Sequence, residues 1–197
     1  VEEALEIQYK SLKKDGFMYI QDYTAPKDDD YILMEFKNDP SKGERVEDLS
    51  EADLLTWFSE NARTGEALRT GGFYLEELPA RFPNTRLFRL PHKWACEFVL
   101  RKGNRTIMEE DLDTEYTFAT QKELRQEIRA FGGRLVYTSS NWDDDFIKKN
   151  VIGKFKLYTE KEEPINYQET SSTMNVQRGE TRESYLSPEW LTQPDKP

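Results

Sequence analysis

The spacing of hydrophobic residues along the chain predicts three amphipathic helices. Within residues 2–14, Leu5, Tyr9 and Leu12 recur at intervals of four and three, which is one stripe of a helix. The other two helices begin with the capping-box pattern, in which a hydroxyl residue is followed three positions later by an acidic or amide residue. These two starts are Ser50 to Asp53 and Thr120 to Glu123.

The third predicted helix has the clearest pattern. Leu124, Ile128 and Phe131 lie at intervals of four and three, and two glycines at 132–133 stand where the helix should end. Burial of such side chains contributes about 1.5–3 kcal/mol each to stability. We therefore expect this helix to anchor the core, and we expect Ile128→Asp to unfold it.

Short runs of aromatic and aliphatic residues predict the first strands. Residues 17–20 and 31–36 are two such runs, separated by a turn that contains Pro26 and an aspartate triplet. We expect them to pair as an antiparallel hairpin with a long loop.

The middle of the chain predicts a second pair of strands. In residues 94–100 both alternating sets of side chains are largely apolar, which is typical of a strand covered on both faces. A turn at 102–104 would return the chain into a partner strand at 106–108. Two further strands are predicted at 134–138 and 151–158.

These elements predict an α+β fold, a mostly antiparallel sheet with about three packed helices and an extended C-terminal tail, because helices and strands do not alternate regularly. The composition changes near Thr159, after which prolines and polar clusters become frequent. We predict a single α+β domain over residues 1–159 and an extended tail over residues 160–197.

The predicted tail contains apolar residues without a helical or strand period. A purely solvated tail is one interpretation, but disordered tails are usually poor in aromatic residues. We favour an arm that docks on a protein partner, since buried aromatic anchors dominate binding energies at interfaces. The proposed anchors are Tyr185, Leu186, Trp190 and Leu191.

Positive charge is concentrated in one part of an acidic chain. The sequence has 28 Lys and Arg against 38 Asp and Glu, a formal charge of −10. Between Arg81 and Arg105 seven basic residues face one acidic residue, Glu97, so that this segment carries +6. We call residues 81–105 the basic stretch.

Three interpretations of the basic stretch remain open. It could contact an acidic protein through Arg86, Arg89, Lys93, Arg101 and Lys102. The same cations could bind nucleic-acid phosphates while Phe88 or Trp94 stacks on bases, although an isoelectric point near 4.8 disfavours this. Finally, they could pair internally with the acidic run that follows at 109–115.

The sequence offers little for catalysis or metal binding. His92 and Cys96 are the only histidine and the only cysteine, and a lone histidine is more often structural. The aspartate triplets at 28–30 and 143–145 lack calcium-loop spacing, and we expect the second to act as a turn or helix cap. We predict no catalytic residue, no metal and no cofactor.

The favoured hypothesis is a non-catalytic accessory subunit of a larger multiprotein assembly, bound through the basic stretch and the C-terminal arm. The alternatives are a nucleic-acid-binding factor that uses the same stretch and, third, a cofactor-independent acid/base enzyme. Because Cys96 is the single cysteine of the sequence, no intrachain disulfide can form, which favours a reducing intracellular compartment, the cytosol or an organelle interior after removal of a leader. No apolar run reaches the length of a membrane span, so we expect no membrane insertion.

Overall fold

The computed structural model describes residues 2–26, 30–62, 73–110, 112, 114, 116, 119–140, 144–167 and 171–178. Their elements form an α+β protein in which each described strand pair is antiparallel. This confirms the predicted fold class. The chain divides into two compact units, one formed by 1–24, 119–141 and 171–197 and the other by 25–118 and 142–170.

The described helices number six. They are α1 (Glu2–Ser11), α2 (Glu51–Asn61), α3 (His92–Lys102), α4 (Arg105–Met108), α5 (Gln121–Ala130) and α6 (Asp144–Asn150). None of these helices is both long enough and apolar enough to cross a bilayer.

The strands form two sheets. They are β1 (Phe17–Tyr23), β2 (Tyr31–Lys37), β3 (Glu76–Leu78), β4 (Thr85–Pro91), β5 (Gly133–Ser140), β6 (Lys156–Thr159), β7 (Pro164–Ile165) and β8 (Ser171–Arg178). The first unit contains a three-stranded sheet in the order β1-β8-β5, and the second contains a five-stranded sheet in the order β3-β4-β2-β6-β7.

In the first unit, α5 packs closely on one face of the three-stranded sheet. Thr120 caps the helix through the predicted capping box, in which its hydroxyl accepts from the Glu123 amide and the Glu123 carboxylate accepts from the Thr120 amide. The helix ends at Ala130 and is followed by Gly132, whose φ of +92° turns the chain out of the helix. A Cβ on Gly133 would lie 2.8 Å from both Ile128 Cγ2 and Val176 Cγ1, so only glycine permits this helix-to-strand distance.

In the second unit, aromatic side chains form the centre of the core. The ring of Phe36 on β2 lies 5.9 Å from that of Phe88 on β4 and 6.3 Å from that of Phe98 on α3, in both cases edge-to-face. These rings are at most 1% exposed. The five-stranded sheet therefore packs against α3, and Phe58 of α2 packs against Phe98 of α3.

The predicted strands at 94–100 and 106–108 are wrong, because these residues form α3 and α4. Nine of the eleven residues of α3 are buried. A helix buried on nearly all sides needs apolar residues on nearly all sides, so its sequence loses the one-sided period that marks an amphipathic helix. Over seven residues such a pattern cannot be distinguished from a strand covered on both faces.

The predicted hairpin of the first two strands is also wrong. β1 pairs with β8 from Phe17 to Tyr23, whereas β2 pairs with β4 and β6 in the other sheet. The local pattern identified both strands correctly, but pairing depends on partners far along the chain.

The predicted boundary at residue 159 needs correction as well. β7 and β8 lie within the predicted tail and are paired in the two sheets, and the chain has two compact units where one domain was expected. In β8, Met174 and Val176 alternate with polar residues and are buried, at 1% and 0% exposure. That alternation is only two apolar residues long, too short to be recognised among polar neighbours.

Candidate functional site

The arginines of β4 are held by carboxylates of their own unit. Arg86 donates from Nε and Nη2 to the two carboxylate oxygens of Glu77, at 2.7 and 2.9 Å, and from Nη1 to Asp53 at 2.6 Å. The hydrogen bonds from Arg86 hold the pKa of Glu77 below its ordinary value. Arg89 lies 2.6 Å from Glu160 and 3.9 Å from the centroid of the Tyr31 ring.

The cations at the end of the basic stretch also have partners. Glu51, at the start of α2, accepts from Lys102 Nζ at 2.5 Å and from Arg105 Nη2 at 2.7 Å. Burial lowers the pKa of Lys102 despite this carboxylate. Arg101 lies 3.0 Å from Glu97, and the side chains of both are at most 3% exposed.

These cations pair internally, but their described carboxylate partners are not those of the acidic run at 109–115 that the third interpretation named. The partners are Asp53, Glu77, Glu51 and others, while Asp111, Asp113 and Glu115 of the predicted acidic run lie outside the described residues. Neutralisation by nearby carboxylates weakens the attraction of Arg86 and Arg89 for an external anion, and Arg101 and Lys102 are buried. Lys93 lies half-buried on α3.

Two aromatic residues predicted to stack on bases are in the interior. Phe88 is 1% exposed and Trp94 is 7% exposed. Base stacking requires an accessible ring face, so neither side chain can serve this purpose in the folded protein.

The face of the three-stranded sheet opposite α5 carries exposed aromatic residues. Phe17 is 61% exposed and Tyr19 is 63% exposed on β1, and Tyr137 is 55% exposed on β5. The register places two rows of side chains across the sheet. These rows are Phe17–Gln177–Arg134 and Tyr19–Asn175–Tyr137. We call these six residues the outer face.

A different set of arginines lies at the β5 side of this unit. In the part of the chain that the structure describes, Arg125, Arg129 and Arg134 make no salt bridge with a carboxylate. Arg125 Nη2 donates instead to Thr138 Oγ1 at 2.9 Å, and its Nε is buried with no acceptor among the described residues. Their charges are therefore more available to an external anion than those of the basic stretch.

Arg125 and Arg129 line a small cleft between α5 and β5. Its other lining residues are Leu135, Val136, Tyr137 and Thr138, and its volume is about 130 Å³. Tyr137 belongs both to this cleft, which we call the α5–β5 cleft, and to the outer face. The two features thus form one continuous region of the first unit.

The residues considered for catalysis and metal binding do not form a site in the described structure. His92 and Cys96 are buried in α3, at 6% and 1% exposure. No group of three His, Cys, Asp or Glu side chains within the described ranges is placed to hold a metal ion. Asp28, Asp29 and Asp143 lie outside those ranges, whereas Asp144 and Asp145 are the first two residues of α6.

The proposed C-terminal anchors, Tyr185, Leu186, Trp190 and Leu191, also lie outside the described residues. Sequence reasoning missed the outer face and the α5–β5 cleft. The signal present was the run Phe17-Met18-Tyr19-Ile20, which predicted a strand but has apolar residues on both faces, so it did not show which face is exposed.

Comparison with family models, with curated proteins and with solved structures gave no match to this chain. The assignment of function therefore depends on the physical features of the surface.

Proposed function

We propose that this chain is a non-catalytic accessory subunit of a larger multiprotein assembly and that it contacts a protein partner through the outer face. The observation that carries the proposal is the exposure of Phe17, Tyr19 and Tyr137 on one face of the three-stranded sheet. Aromatic side chains fixed on a sheet lose little conformational entropy when a partner covers them. Such clusters are typical of binding surfaces.

The distribution of charge favours a partner-contact surface other than the basic stretch. Most of the predicted contact cations, such as Arg86 and Arg101, are engaged with carboxylates, and separating them would cost the energy of those pairs. The burial of His92 and Cys96, the single histidine and the single cysteine of the sequence, supports a non-catalytic role. The C-terminal arm with Trp190 remains a second proposed contact.

Sedimentation of the tagged chain from its native cells tests the proposal. We expect wild-type protein to sediment with a larger assembly and the variant Phe17→Ser/Tyr19→Ser to sediment alone, because loss of two central anchors weakens binding by about 30-fold or more. The matched control is Ile152→Ser, which removes a side chain of similar exposure, 63%, from the second unit.

Retention of the double variant in the assembly would contradict the outer face as the contact. Deletion of residues 184–197 tests the arm separately. We expect the deleted protein to stay folded and to leave the assembly, and unchanged co-sedimentation would remove the arm from the proposal.

A second candidate function is single-stranded nucleic-acid binding at the same face. One observation favours it: Arg134 and the amide side chains of Asn175 and Gln177 lie beside the exposed rings, a combination that can contact phosphates, base edges and base planes. The net charge of −10 makes it the weaker candidate. This second candidate function requires that the protein bind an oligonucleotide and that the affinity fall steeply as the salt concentration rises above about 50 mM.

A further inference from the structure

The α5–β5 cleft combines two features that one kind of ligand can satisfy together. The first is positive charge: Arg125 and Arg129, one helical turn apart on α5, line the cleft and have no carboxylate partner among the described residues. The second is strand backbone: the cleft is bounded by residues 135–138 of β5.

β5 is an edge strand of the described sheet. It is hydrogen-bonded to β8 on one side, and the sheet order β1-β8-β5 leaves its other side without a described neighbour. An edge strand presents backbone N–H and C=O groups that another extended segment can pair with. The irregular register between Leu135 and Tyr137 interrupts this edge, so pairing would be confined to a short segment.

The size and charge of the cleft indicate the side chain that would enter it. A volume of about 130 Å³ corresponds to about four water molecules, which is sufficient for a carboxylate group. A carboxylate would supply acceptors for Arg129 and for Arg125, whose Nε is buried without one. A guanidinium forms its strongest hydrogen bonds with such an ionised acceptor.

We propose that the α5–β5 cleft binds an extended acidic segment of the protein partner, which pairs with the edge of β5 and places a carboxylate between Arg125 and Arg129. This inference rests on the proposed function and names the chemistry of the partner. An extended peptide fits better than a nucleic acid because only a polypeptide can use both the strand edge and the arginines.

Fluorescence anisotropy with full-length protein tests the inference. The probe is a labelled peptide of about ten residues of alternating threonine and glutamate, which favours an extended conformation. We expect saturable binding by wild-type protein and a loss of about tenfold or more in the variant Arg125→Gln/Arg129→Gln, because two charge-assisted hydrogen-bond donors are removed. Arg45→Gln is the matched control, an exposed arginine of the second unit that does not line the cleft.

Three further probes separate the alternatives. We expect a peptide of alternating threonine and glutamine, and a glutamate peptide with backbone N-methyl groups on one edge, to bind at least about tenfold more weakly, since one lacks the charge and the other cannot pair. We expect a thymidine oligonucleotide of similar charge to bind more weakly than the glutamate peptide. Any of four results would overturn the inference. They are stronger binding of the oligonucleotide than of the glutamate peptide, equal affinity for the three peptides, wild-type affinity of the Arg125→Gln/Arg129→Gln variant, and no binding at millimolar peptide.

The failure of this inference differs from the failure of the proposed function. If Arg125→Gln/Arg129→Gln keeps the chain in its assembly while Phe17→Ser/Tyr19→Ser releases it, the acidic-segment proposal is contradicted and the outer-face contact remains. If neither variant releases the chain, both are contradicted.

Discussion

At the scale of single residues, the described ion pairs show why clustered positive charge is a poor guide to a binding surface. Asp53, at the start of α2, illustrates this. Its carboxylate receives hydrogen bonds from Ser41 at 2.5 Å, from Ser50 at 2.9 Å and from Arg86 at 2.6 Å. Burial raises the pKa of Asp53, but these hydrogen bonds more than offset it, so the pKa lies below its ordinary value.

The N-terminal cap of α2 differs from a capping box because Ser41 takes part in it. Ser50 accepts from the Asp53 amide, as predicted from the sequence. The Ser50 amide, however, donates to the hydroxyl of Ser41 at 2.8 Å, which takes the role expected of the Asp53 side chain. The Asp53 carboxylate is thereby directed to Arg86.

The depressed pKa values of Asp53 and Glu77 predict a pH-dependent contribution of Arg86 to stability. A carboxyl group whose pKa is lower in the folded state stabilises the fold above its unfolded pKa, about 4, and loses that effect as pH falls through its folded pKa. We expect Arg86→Gln to lower the free energy of unfolding by about 1 kcal/mol near pH 7, since solvent screens these half-exposed pairs.

Urea denaturation at several pH values measures this effect. The difference in free energy of unfolding between wild type and Arg86→Gln should shrink as pH falls from about 5 to about 3, as the carboxylates protonate in both proteins. Arg134→Gln should show no such trend, because Arg134 has no salt bridge with a described carboxylate. A difference independent of pH would refute the assignment of these carboxylates as partners of Arg86.

A second prediction at this scale concerns the buried pair of Glu97 and Arg101. Arg101 also donates to the backbone carbonyl of Thr114 and lies 4.5 Å from the centroid of the Tyr116 ring. Glu97→Ala removes a buried carboxylate that lies 3.0 Å from the Arg101 guanidinium, so we expect a loss of about 3–5 kcal/mol in the free energy of unfolding.

Replacement of both members should cost much less. In Glu97→Leu/Arg101→Met both charges are removed together and the volume is approximately kept, which is often neutral for buried ion pairs. Chemical denaturation of both variants checks the comparison. If the double variant is as unstable as Glu97→Ala, then loss of the other Arg101 contacts, and not loss of the Glu97–Arg101 pair, dominates the effect.

At the scale of elements, the sequence predicted helices that begin with a cap and have one apolar face. α5 is the best example, since Thr120, Leu124 and Ile128 give its start and its buried side. α3 could not be predicted, because a helix buried on most sides carries no one-sided pattern. β8 could not be predicted either, since it depends on pairing with β1 and β5, which both lie far before it in the chain.

The candidate site could be predicted less well than the fold. The sequence concentrates cations at 81–105, and only the spatial proximity of Glu51, Glu77 and Glu160 shows that they are neutralised. The outer face likewise depends on the pairing of β1 with β8, which local patterns do not specify.

The role of α5 in the first unit gives a prediction at the element scale. Ile128 is fully buried and lies near Val176 beside Gly133. Ile128→Asp places an unpaired carboxylate there, and we expect the first unit to unfold at temperatures where the wild type is folded. Gln126→Asp is the control, because Gln126 is exposed on the same helix. Thermal melting that is equal for both variants would contradict this packing.

At the scale of the whole molecule, the two units differ in how their charge and apolar surface are used. In the second unit most cations of the basic stretch form salt bridges with described carboxylates, and the core is aromatic. In the first unit, exposed aromatic rings lie on the outer face. Arg125 and Arg129, which have no described carboxylate partner, line the cleft beside β5. The first unit therefore carries the proposed contact.

Photo-crosslinking from defined positions tests this assignment most directly. A benzoylphenylalanine placed at Tyr19, on the outer face, should crosslink to a protein partner in cells, whereas the same group at Ile152, equally exposed on the second unit, should not. Crosslinking from Ile152 in place of Tyr19, or crosslinking of Tyr19 to nucleic acid alone, would contradict the account.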